Sequence, residues 1–289
     1  RSDEPALTDP RGTRRDRQTL IQNTLSTDLT YKQDTWSLTP RYAVTLNRTE
    51  GGERSLVHAL GADGTLDILD RNTLAAGYEL TVGEFEVAND FVGHSGRLAF
   101  SRQLNSLTTA SLGGSASHRD VQDAGDVNIY RGDIGLRRDV SPLYSVEARV
   151  GYGVTDAGGG SRGEVEYSLK GTYTGNVVRL TGTSGQSFQE TFLERENVGV
   201  TRTRESALEL RYDLSDRLAL TLRGRLAENQ FLQQDREDIL LDGGIEVGYK
   251  LTRLLSLSLG YTFTRRDSNL RGFDYDNNRV RLGLTATYE

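Results

Sequence analysis

The sequence predicts an all-β fold: an antiparallel transmembrane β-barrel of about 14–16 strands, with short periplasmic turns and longer extracellular loops. Three observations predict it. Apolar residues occupy every second position over one segment after another, as in Leu255, Leu257, Leu259, Tyr261 and Phe263. The alternate positions carry full charges. The connections between segments alternate between tight turns and long polar stretches, which is typical of a barrel in an outer membrane.

The charges on the polar face distinguish a barrel from a soluble β-sandwich. Glu209, Arg211 and Asp213 alternate with Leu208 and Leu210, for example. A sandwich packs its apolar faces together and exposes its charges, whereas a membrane barrel turns the apolar face to lipid and the charges to an aqueous lumen. The barrel is therefore the leading prediction, and a soluble all-β binding protein is its alternative.

Composition limits the other classes. The chain has 289 residues, of which 35% are hydrophobic and 26% are charged, and no run of about 20 apolar residues suggests a transmembrane helix. The net charge of −6 is modest and mixed, so nucleic acid is not an indicated partner. Cysteine is absent, which fits passage through an oxidising periplasm. Methionine is also absent, so we expect that a signal peptide or a longer segment has been removed upstream.

The chain divides into a polar amino-terminal segment, residues 1–18, which we expect to be a loop or tail, and the barrel, residues 19–289. Fifteen strands are predicted in the barrel. They lie at about 19–32, 35–48, 54–69, 72–84, 95–105, 106–117, 126–138, 143–155, 163–173, 176–188, 203–214, 217–228, 237–251, 254–267 and 277–289. The long polar connections lie at about 49–53, 85–94, 118–125, 156–162, 189–202, 229–236 and 268–276.

Fifteen strands is an odd number for a bacterial barrel, and it makes the first strand descend from outside the cell if the last strand ends in the periplasm. Three explanations are available. One strand is miscounted around residues 84–117, an ascending strand lies upstream of Arg1, or a partner chain completes the sheet. One of the three must hold, because an unpaired sheet edge is not tolerated in lipid.

The polar phase of the strands predicts which charged side chains line the lumen. Opposite charges on neighbouring strands can meet there, so the wall is expected to be stabilised as well as hydrated. The predicted lumen charges are Arg131, Asp133, Arg137, Glu147, Arg149, Glu166, Lys170, Arg179, Glu209, Arg211, Arg223, Arg225, Asp242, Glu246, Lys250, Arg279 and Arg281. The simpler interpretation is that these charges only keep the lumen hydrated and neutral. The more specific interpretation is that they form a selectivity filter.

Aromatic residues cluster in the apolar phase near the tight turns. Aromatic rings favour the level of the lipid headgroups, so this cluster predicts a periplasmic girdle. The girdle residues are Trp36, Tyr42, Tyr144, Tyr173, Tyr212, Tyr249 and Tyr288.

No constellation of residues predicts catalysis, a cofactor or a metal. His58, His94 and His118 lack a metal-ligand spacing. Ser95 and Ser117 adjoin two of them, but adjacent residues on a strand point to opposite faces. The loop 274–278 is rich in oxygen ligands, yet it lacks the glycine and distal glutamate of a calcium loop and is better explained as a β-turn. We expect that the chain is not an enzyme.

The last hairpin resembles that of a known family. Its carrying residues are Tyr261, Arg265, Asp267, Ser268, Asn269, Tyr275, Asp276, Asn278, Arg279, Leu282, Leu284 and Tyr288. In these positions the chain is similar to the outer-membrane β-barrel porins associated with exopolysaccharide export. The resemblance implies a bacterial outer-membrane location, insertion by the outer-membrane assembly machinery, and a channel or transport role.

The expected function is a water-filled pore for small hydrophilic solutes, or a conduit for export of a polysaccharide. Few aromatic residues fall in the inward phase, which favours a general pore over a path along which sugars stack. The alternative is a structural barrel that houses a partner protein, such as a cytochrome or a secretion component, because a mixed-charge wall suits that role equally well.

Overall fold

The computed structural model describes residues 2–4, 18–49, 54–86, 90–122, 125–157, 160–193, 196–232 and 235–286. These residues form strands, turns and short connections, and they contain no helix of the length and apolarity that a membrane span requires. The strands are β1 (Ser2–Glu4), β2 (Gln18–Asp28), β3 (Tyr31–Lys32), β4 (Trp36–Thr49), β5 (Arg54–Asp67), β6 (Asn72–Phe85), β7 (Phe91–Asn105), β8 (Thr108–Val121), β9 (Gly125–Ser141), β10 (Tyr144–Ala157), β11 (Ser161–Thr174), β12 (Val178–Leu193), β13 (Glu196–Asp213), β14 (Leu218–Phe231), β15 (Arg236–Lys250), β16 (Leu255–Ser268) and β17 (Tyr275–Ala286).

All strands belong to one antiparallel sheet, in which each long strand pairs with the next along the chain. β2 and β3 both pair with β4, and the Leu29 amide donates to the Pro40 carbonyl oxygen between them at 3.2 Å. They are therefore one strand with a short interruption, so the 17 segments make sixteen strands in the described part of the chain. The all-β antiparallel prediction is confirmed, and the fifteen long strands are those that the alternating pattern predicts.

The period of two places the side chains as the sequence predicts. Leu222 of β14 lies directly opposite Leu210 of β13 and Ile245 of β15, and all three are on one face. Arg223, the next residue, lies opposite Glu209 on the other face. Because the same alternation holds from strand to strand, the sheet has one continuous apolar surface and one charged surface.

The two ends of the sheet differ, as predicted, but less in loop length than the sequence suggests. The tight turns between β4 and β17 stand where the pattern puts them. At the opposite end much of each polar stretch is strand: β12 runs to Leu193 and β13 begins at Glu196, inside the predicted loop 189–202. Polar residues there lack the apolar alternation of a lipid-facing strand, but hairpins that continue into water keep their backbone pairing without it.

The first residues also differ from the expectation of a tail. Ser2–Glu4 pair antiparallel with β2, with Ser2 opposite Leu20 and Glu4 opposite Gln18. Three residues are too few to show a period of two, so the pattern could not identify this strand. β1 runs opposite to the descending β2, which makes it an ascending strand. The strands at 84–117 are present as β7 and β8, so a miscount there does not explain the odd number.

The two edges of the sheet are β17 on one side and β2, with β1 beside its start, on the other. Within the described residues no strand register joins β17 to β2. The outward side chains Val280, Leu282 and Leu284 of β17 are 72%, 72% and 66% exposed, and Leu25 of β2 is 70% exposed. Outward side chains on interior strands are less exposed, because strands on both sides partly cover them. The high exposed fractions on β17 and β2 therefore mark strands with a neighbour on one side only.

Most of the buried side chains lie at the end of the strands away from the tight turns, on the lumen side of the sheet or on the hairpin that bends over it. We name this group the mouth layer. Its apolar members are Phe91, Val121, Val127, Ile129, Phe188, Val200, Ala227, Phe231 and Leu240. The concave side of the sheet is therefore packed near its mouth and hydrated below it.

Candidate functional site

The candidate site is the surface that carries the charges. All seventeen predicted lumen charges alternate with apolar residues of their own strands, most of them exposed, as Arg131 does with Tyr130 and Ile134. Since apolar side chains of a membrane barrel face lipid, the charges face the lumen. The structure thus places the whole predicted set on one surface. This surface consists of two walls that differ in their electrostatics.

The first wall comprises β4–β10, and we name it the compensated wall. Asp63 accepts hydrogen bonds from Arg41 Nη1 at 2.6 Å and from Arg97 Nη2 at 2.7 Å, and Arg41 Nη2 also binds Glu79 Oε2 at 3.0 Å. Gly61 and Gly77 stand beside these groups, and a Cβ on either would come within 3 Å of an arginine side-chain atom. The glycines leave room for the guanidinium groups to reach across the strands.

Other charges of the compensated wall are also paired. Arg149 binds Glu147 on its own strand at 2.8 Å and Asp133 on β9 at 3.5 Å, and Arg137 Nε lies 3.7 Å from Asp139. Each of these arginines therefore has a nearby carboxylate, and a solute that passes them meets little net charge.

The second wall comprises β11–β17, and we name it the cationic wall. Two arginines each bridge carboxylates from both neighbouring strands: Arg223 binds Glu209 at 2.8 Å and Glu246 at 3.3 Å. Arg225 binds Glu205 at 2.9 Å and Asp242 at 3.0 Å. These bridges occupy the acidic residues in the middle of the wall and leave other cations without them.

A cavity of about 1000 Å³ lies along the cationic wall. Of its charged lining residues, seven are Lys or Arg and three are Asp or Glu. The predicted lumen charges Arg211 and Lys250 line a second hollow nearer the tight turns, where Arg211 Nε binds Asp213 at 3.0 Å. Cations thus outnumber carboxylates in the lining of the cavity, and its size suits a small solute.

A buried ion pair near the mouth was not predictable from the strand pattern. Arg236 donates from Nε and Nη2 to Asp238, and their side chains are only 2% and 1% exposed. The guanidinium of Arg236 lies 4.4 Å from the ring centre of Phe231 and 3.9 Å from that of Phe273. Arg266 Nε approaches the same carboxylate at 3.7 Å. This cluster ties the β14–β15 hairpin to the β16–β17 hairpin at the mouth.

The β12–β13 hairpin bends over the lumen. β11 pairs with β12 only as far as Tyr167 and Gln186, and beyond that point both β12 and β13 contact β10, from which β11 separates them in the sheet. The buried side chain of Phe188 packs with Val127, Ile129 and Val200 of the mouth layer. The hairpin therefore narrows the mouth from one side.

Side chains replace the missing backbone partners of this bent hairpin. The Phe188 amide donates to Glu166 Oε1 at 2.8 Å, and Arg131 Nη2 donates to the Phe188 carbonyl oxygen at 2.5 Å. Arg131 Nε also binds Glu166 at 3.2 Å, and Arg202 binds Glu164 at 3.1 Å. A Cβ on Gly153 would meet both Glu166 and the Phe188 ring at about 3 Å, so glycine makes this close approach possible.

The predicted aromatic girdle is at the tight-turn end, with one exception. Tyr144 and Tyr173 stack at 4.8 Å between ring centres, and Trp36 stacks with Tyr31 at 5.3 Å. Tyr212 and Tyr249 are at the tight-turn ends of β13 and β15. Tyr288 lies outside the described residues.

Tyr42 is the exception, because it lies six residues beyond Trp36 on β4, roughly 20 Å along the strand. It belongs instead to a second line of outward tyrosines nearer the mouth, which the sequence analysis did not identify. The members of this line are Tyr42, Tyr78, Tyr130, Tyr152 and Tyr167.

The three histidines lie on the lipid-facing surface, within strands rather than loops. Tyr42 Oη is 2.8 Å from His58 Nδ1, and Tyr78 Oη is 2.7 Å from His94 Nδ1. His118 Nδ1 is 2.8 Å from Asn128 Oδ1. These contacts satisfy the rings in an apolar setting. Among the described residues no group of three or more His, Cys, Asp or Glu side chains could hold a metal ion.

Solved structures share this fold at low sequence identity. The copper transporter OprC matches with a TM-score of 0.57 and 11% identity, over 98% of this chain and 60% of that one. Pseudomonas aeruginosa OccK5 matches with a TM-score of 0.53 and 13% identity, over 94% of each chain. A bacterial polysaccharide outer membrane secretin matches with a TM-score of 0.51 and 13% identity, over 93% of this chain and 91% of that one. The chain spans about 60% or less of the first few structures it matches.

No curated protein matches the chain by sequence. A family model described as putative beta-barrel porin 2 matches residues 126–288, which is more than half of the chain and covers β10–β17 completely with nearly all of β9. The lipid-facing apolar surface, the hydrated charged surface and the barrel neighbours agree with that match and with a bacterial outer-membrane location. The chain belongs to the putative beta-barrel porin 2 family.

Proposed function

We propose that this protein forms a water-filled pore for small hydrophilic solutes across the bacterial outer membrane. The observation that carries the proposal is the charged inner surface below the mouth layer, where the side chains of both walls remain hydrated. A barrel of about 16 strands is too wide for its own side chains to fill, so such a surface borders water. The pair Arg223 and Glu209, for example, is about half exposed although it lies at the centre of the wall.

Passage of a neutral polysaccharide is a weaker candidate, because it needs aromatic faces on which sugar rings can stack. Among the described residues, three rings near the mouth, Phe231, Phe273 and Tyr275, are each covered by an arginine at 3.9–4.8 Å. A ring that already contacts a guanidinium offers no free face on that side. A lumen that houses a partner protein is the other alternative, and it differs from the pore in its electrical behaviour.

A pore in lipid also needs a closed sheet, because unpaired backbone groups are costly in the hydrocarbon. β17 and the β1–β2 side are the two edges to be joined. We propose that closure uses a further strand beside β1 or a partner chain, and that the outer-membrane assembly machinery inserts the barrel. In this proposal the chain has no catalytic role.

The test is conductance in a planar lipid bilayer. Purified protein, folded in detergent and checked by its heat-dependent migration on gels, should give stepwise ohmic currents that grow with salt concentration. Folded protein that inserts but stays silent would contradict the pore. Silence of that kind, together with a protein that co-purifies in fixed ratio, would instead support the alternative in which the barrel surrounds a partner.

A further inference from the structure

We propose that the cavity on the cationic wall is an anion-binding site, which takes the carboxylate or phosphate groups of a solute through Lys170, Arg179, Arg279 and Arg281. The proposal rests on the pore function and adds the chemical class of the solute. It does not follow from the overall charge of the chain, which is −6. It follows from how the charges are paired inside the cavity.

The acidic residues of the cavity are already occupied. Glu209 and Glu246 both bind Arg223, and Asp242 binds Arg225. These three are the only carboxylates that line the cavity in the described part of the chain. A cation that lacks a carboxylate partner in the wall must obtain one from solvent or from a ligand.

Four cations are in that position. Within the residues that the structure covers, no ion pair or side-chain hydrogen bond involves Lys170 of β11, Arg179 of β12, or Arg279 and Arg281 of β17. The compensated wall shows that this is not a general property of the lumen, since each cation considered there has a carboxylate within 4 Å. The excess positive charge is therefore local to the cavity.

The geometry near β17 favours a ligand with more than one anionic oxygen. Arg279 and Arg281 are two residues apart on one strand, so they lie on the same face about 7 Å from each other. Directly opposite Arg281 stands Gly260, and opposite Thr262, the partner of Arg279, stands Gly244. Glycine at both positions removes two side chains from the wall beside these guanidinium groups.

Guanidinium groups suit this ligand class. Each presents a planar set of N–H donors that matches two oxygens of a carboxylate or phosphate, and it stays charged at any physiological pH. Lys170 and Arg179 approach from the β11–β12 side of the same cavity. The arrangement suits a small di- or tricarboxylate, or a phosphorylated solute, better than a neutral sugar.

The experiment measures block of the pore in a bilayer. Inorganic phosphate and citrate serve as probes in KCl, and reversal potentials under a salt gradient give the ratio of anion to cation permeability. Wild type should prefer chloride to potassium, and citrate at millimolar concentration should reduce the current. Arg279→Gln/Arg281→Gln should raise the half-blocking citrate concentration at least tenfold, and Lys170→Gln/Arg179→Gln should do so from the other side of the cavity.

Arg97→Gln is the matched control, because it removes one cation from the compensated wall and leaves the cavity intact. It should lower the chloride preference slightly but change the half-blocking concentration less than twofold. Equal effects of the control and of the Arg279→Gln/Arg281→Gln variant would show that only overall lumen charge matters, and would overturn the site. A conducting pore that prefers potassium, or that citrate does not block, would also overturn it.

The pore and the site can fail separately. Calorimetric titration of the folded protein in detergent with citrate does not depend on conduction. Silence in the bilayer with citrate binding that the double variants abolish would reject the pore and retain the site. Silence without binding would reject both.

Discussion

The two walls of the lumen use the same residue types and obtain different electrostatics. On the compensated wall Asp63 binds both Arg41 and Arg97, and Arg41 also binds Glu79. On the cationic wall Arg223 and Arg225 hold the three carboxylates that line the cavity in the described part of the chain. The four cations of the proposed anion-binding site are left without a carboxylate of the wall. The net charge seen by a solute therefore depends on how ion pairs are distributed, and not only on how many charged residues line the lumen.

The largest expected effect is on the free energy of unfolding, and it distinguishes buried ion pairs from hydrated ones. Asp238→Asn removes the carboxylate that Arg236 binds and Arg266 approaches, and both guanidinium groups are largely buried near the mouth. Leaving buried charge without its partner should lower the free energy of unfolding by about 3–5 kcal/mol. Urea unfolding in vesicles, followed by the fluorescence of the single tryptophan, Trp36, measures it. Asp63→Asn is the control, with an expected loss of about 1 kcal/mol or less, because its pairs are hydrated.

The next effect tests whether the charges of both walls face inward at all. Leu222→Arg places a charge on the lipid-facing surface near the middle of β14 and should cost about 2–4 kcal/mol. Ser258→Arg, on the inward face of β16, should be tolerated and should increase chloride preference. Equal destabilisation by the two changes would contradict the face assignment.

A related substitution tests how deep the surface lies in the membrane. Leu257 is outward but lies opposite Tyr249 of the girdle. Leu257→Arg should therefore cost only about 0–1 kcal/mol, the value for an interfacial site. The same unfolding measurement compares it with Leu222→Arg. If Leu257→Arg were the more damaging change, the girdle would not mark the interface.

A smaller effect is expected when a substitution makes the compensated wall more like the cationic wall. Asp63→Asn releases both Arg41 and Arg97, so the compensated wall should gain free cations and the chloride preference of the pore should rise about twofold. Reversal potentials measure it. Arg265→Gln, at an outward pair with Asp267, should not change the permeability ratio, because that pair does not border the lumen. A fall in chloride preference in Asp63→Asn would contradict the described pairing.

The smallest effect is that of salt on unmodified protein. The distance over which a charge acts falls from about 10 Å in 0.1 M salt to about 3 Å in 1 M salt. The chloride preference should weaken over that range, since solutes at the centre of the lumen are screened from the walls. A preference that stays constant would indicate direct contact with bound ions instead of a field across the lumen.

The sequence predicts the strands well because lipid requires apolar side chains on one face and leaves charges for the other. That requirement makes the alternation visible from β4 to β17. The alternation is not visible in Ser2–Glu4, because three residues are too few to show it. It is also not visible in the mouth-end parts of β12 and β13, which stand outside lipid. The role of Arg236 was hidden for the same reason, since it falls at the end of a predicted polar loop, and Phe273, one of the two rings it contacts, comes from a different loop. Which carboxylate each arginine selects depends on reach across neighbouring strands, and a single sequence does not encode that visibly.

The point where β11 and β12 separate also limits how deeply the barrel can be inserted in the bilayer. Above the Tyr167–Gln186 pair, no strand in the described part of the chain pairs with β11 on that side, and such backbone cannot stand among acyl chains. At the same height the outward surface turns polar, with Arg204 bound to Gln186 at 2.6 Å and 3.6 Å from Glu228. The end of the β11–β12 pairing and the change to a polar outward surface thus indicate the same membrane boundary. On this side of the barrel the hydrocarbon layer ends at or below that level.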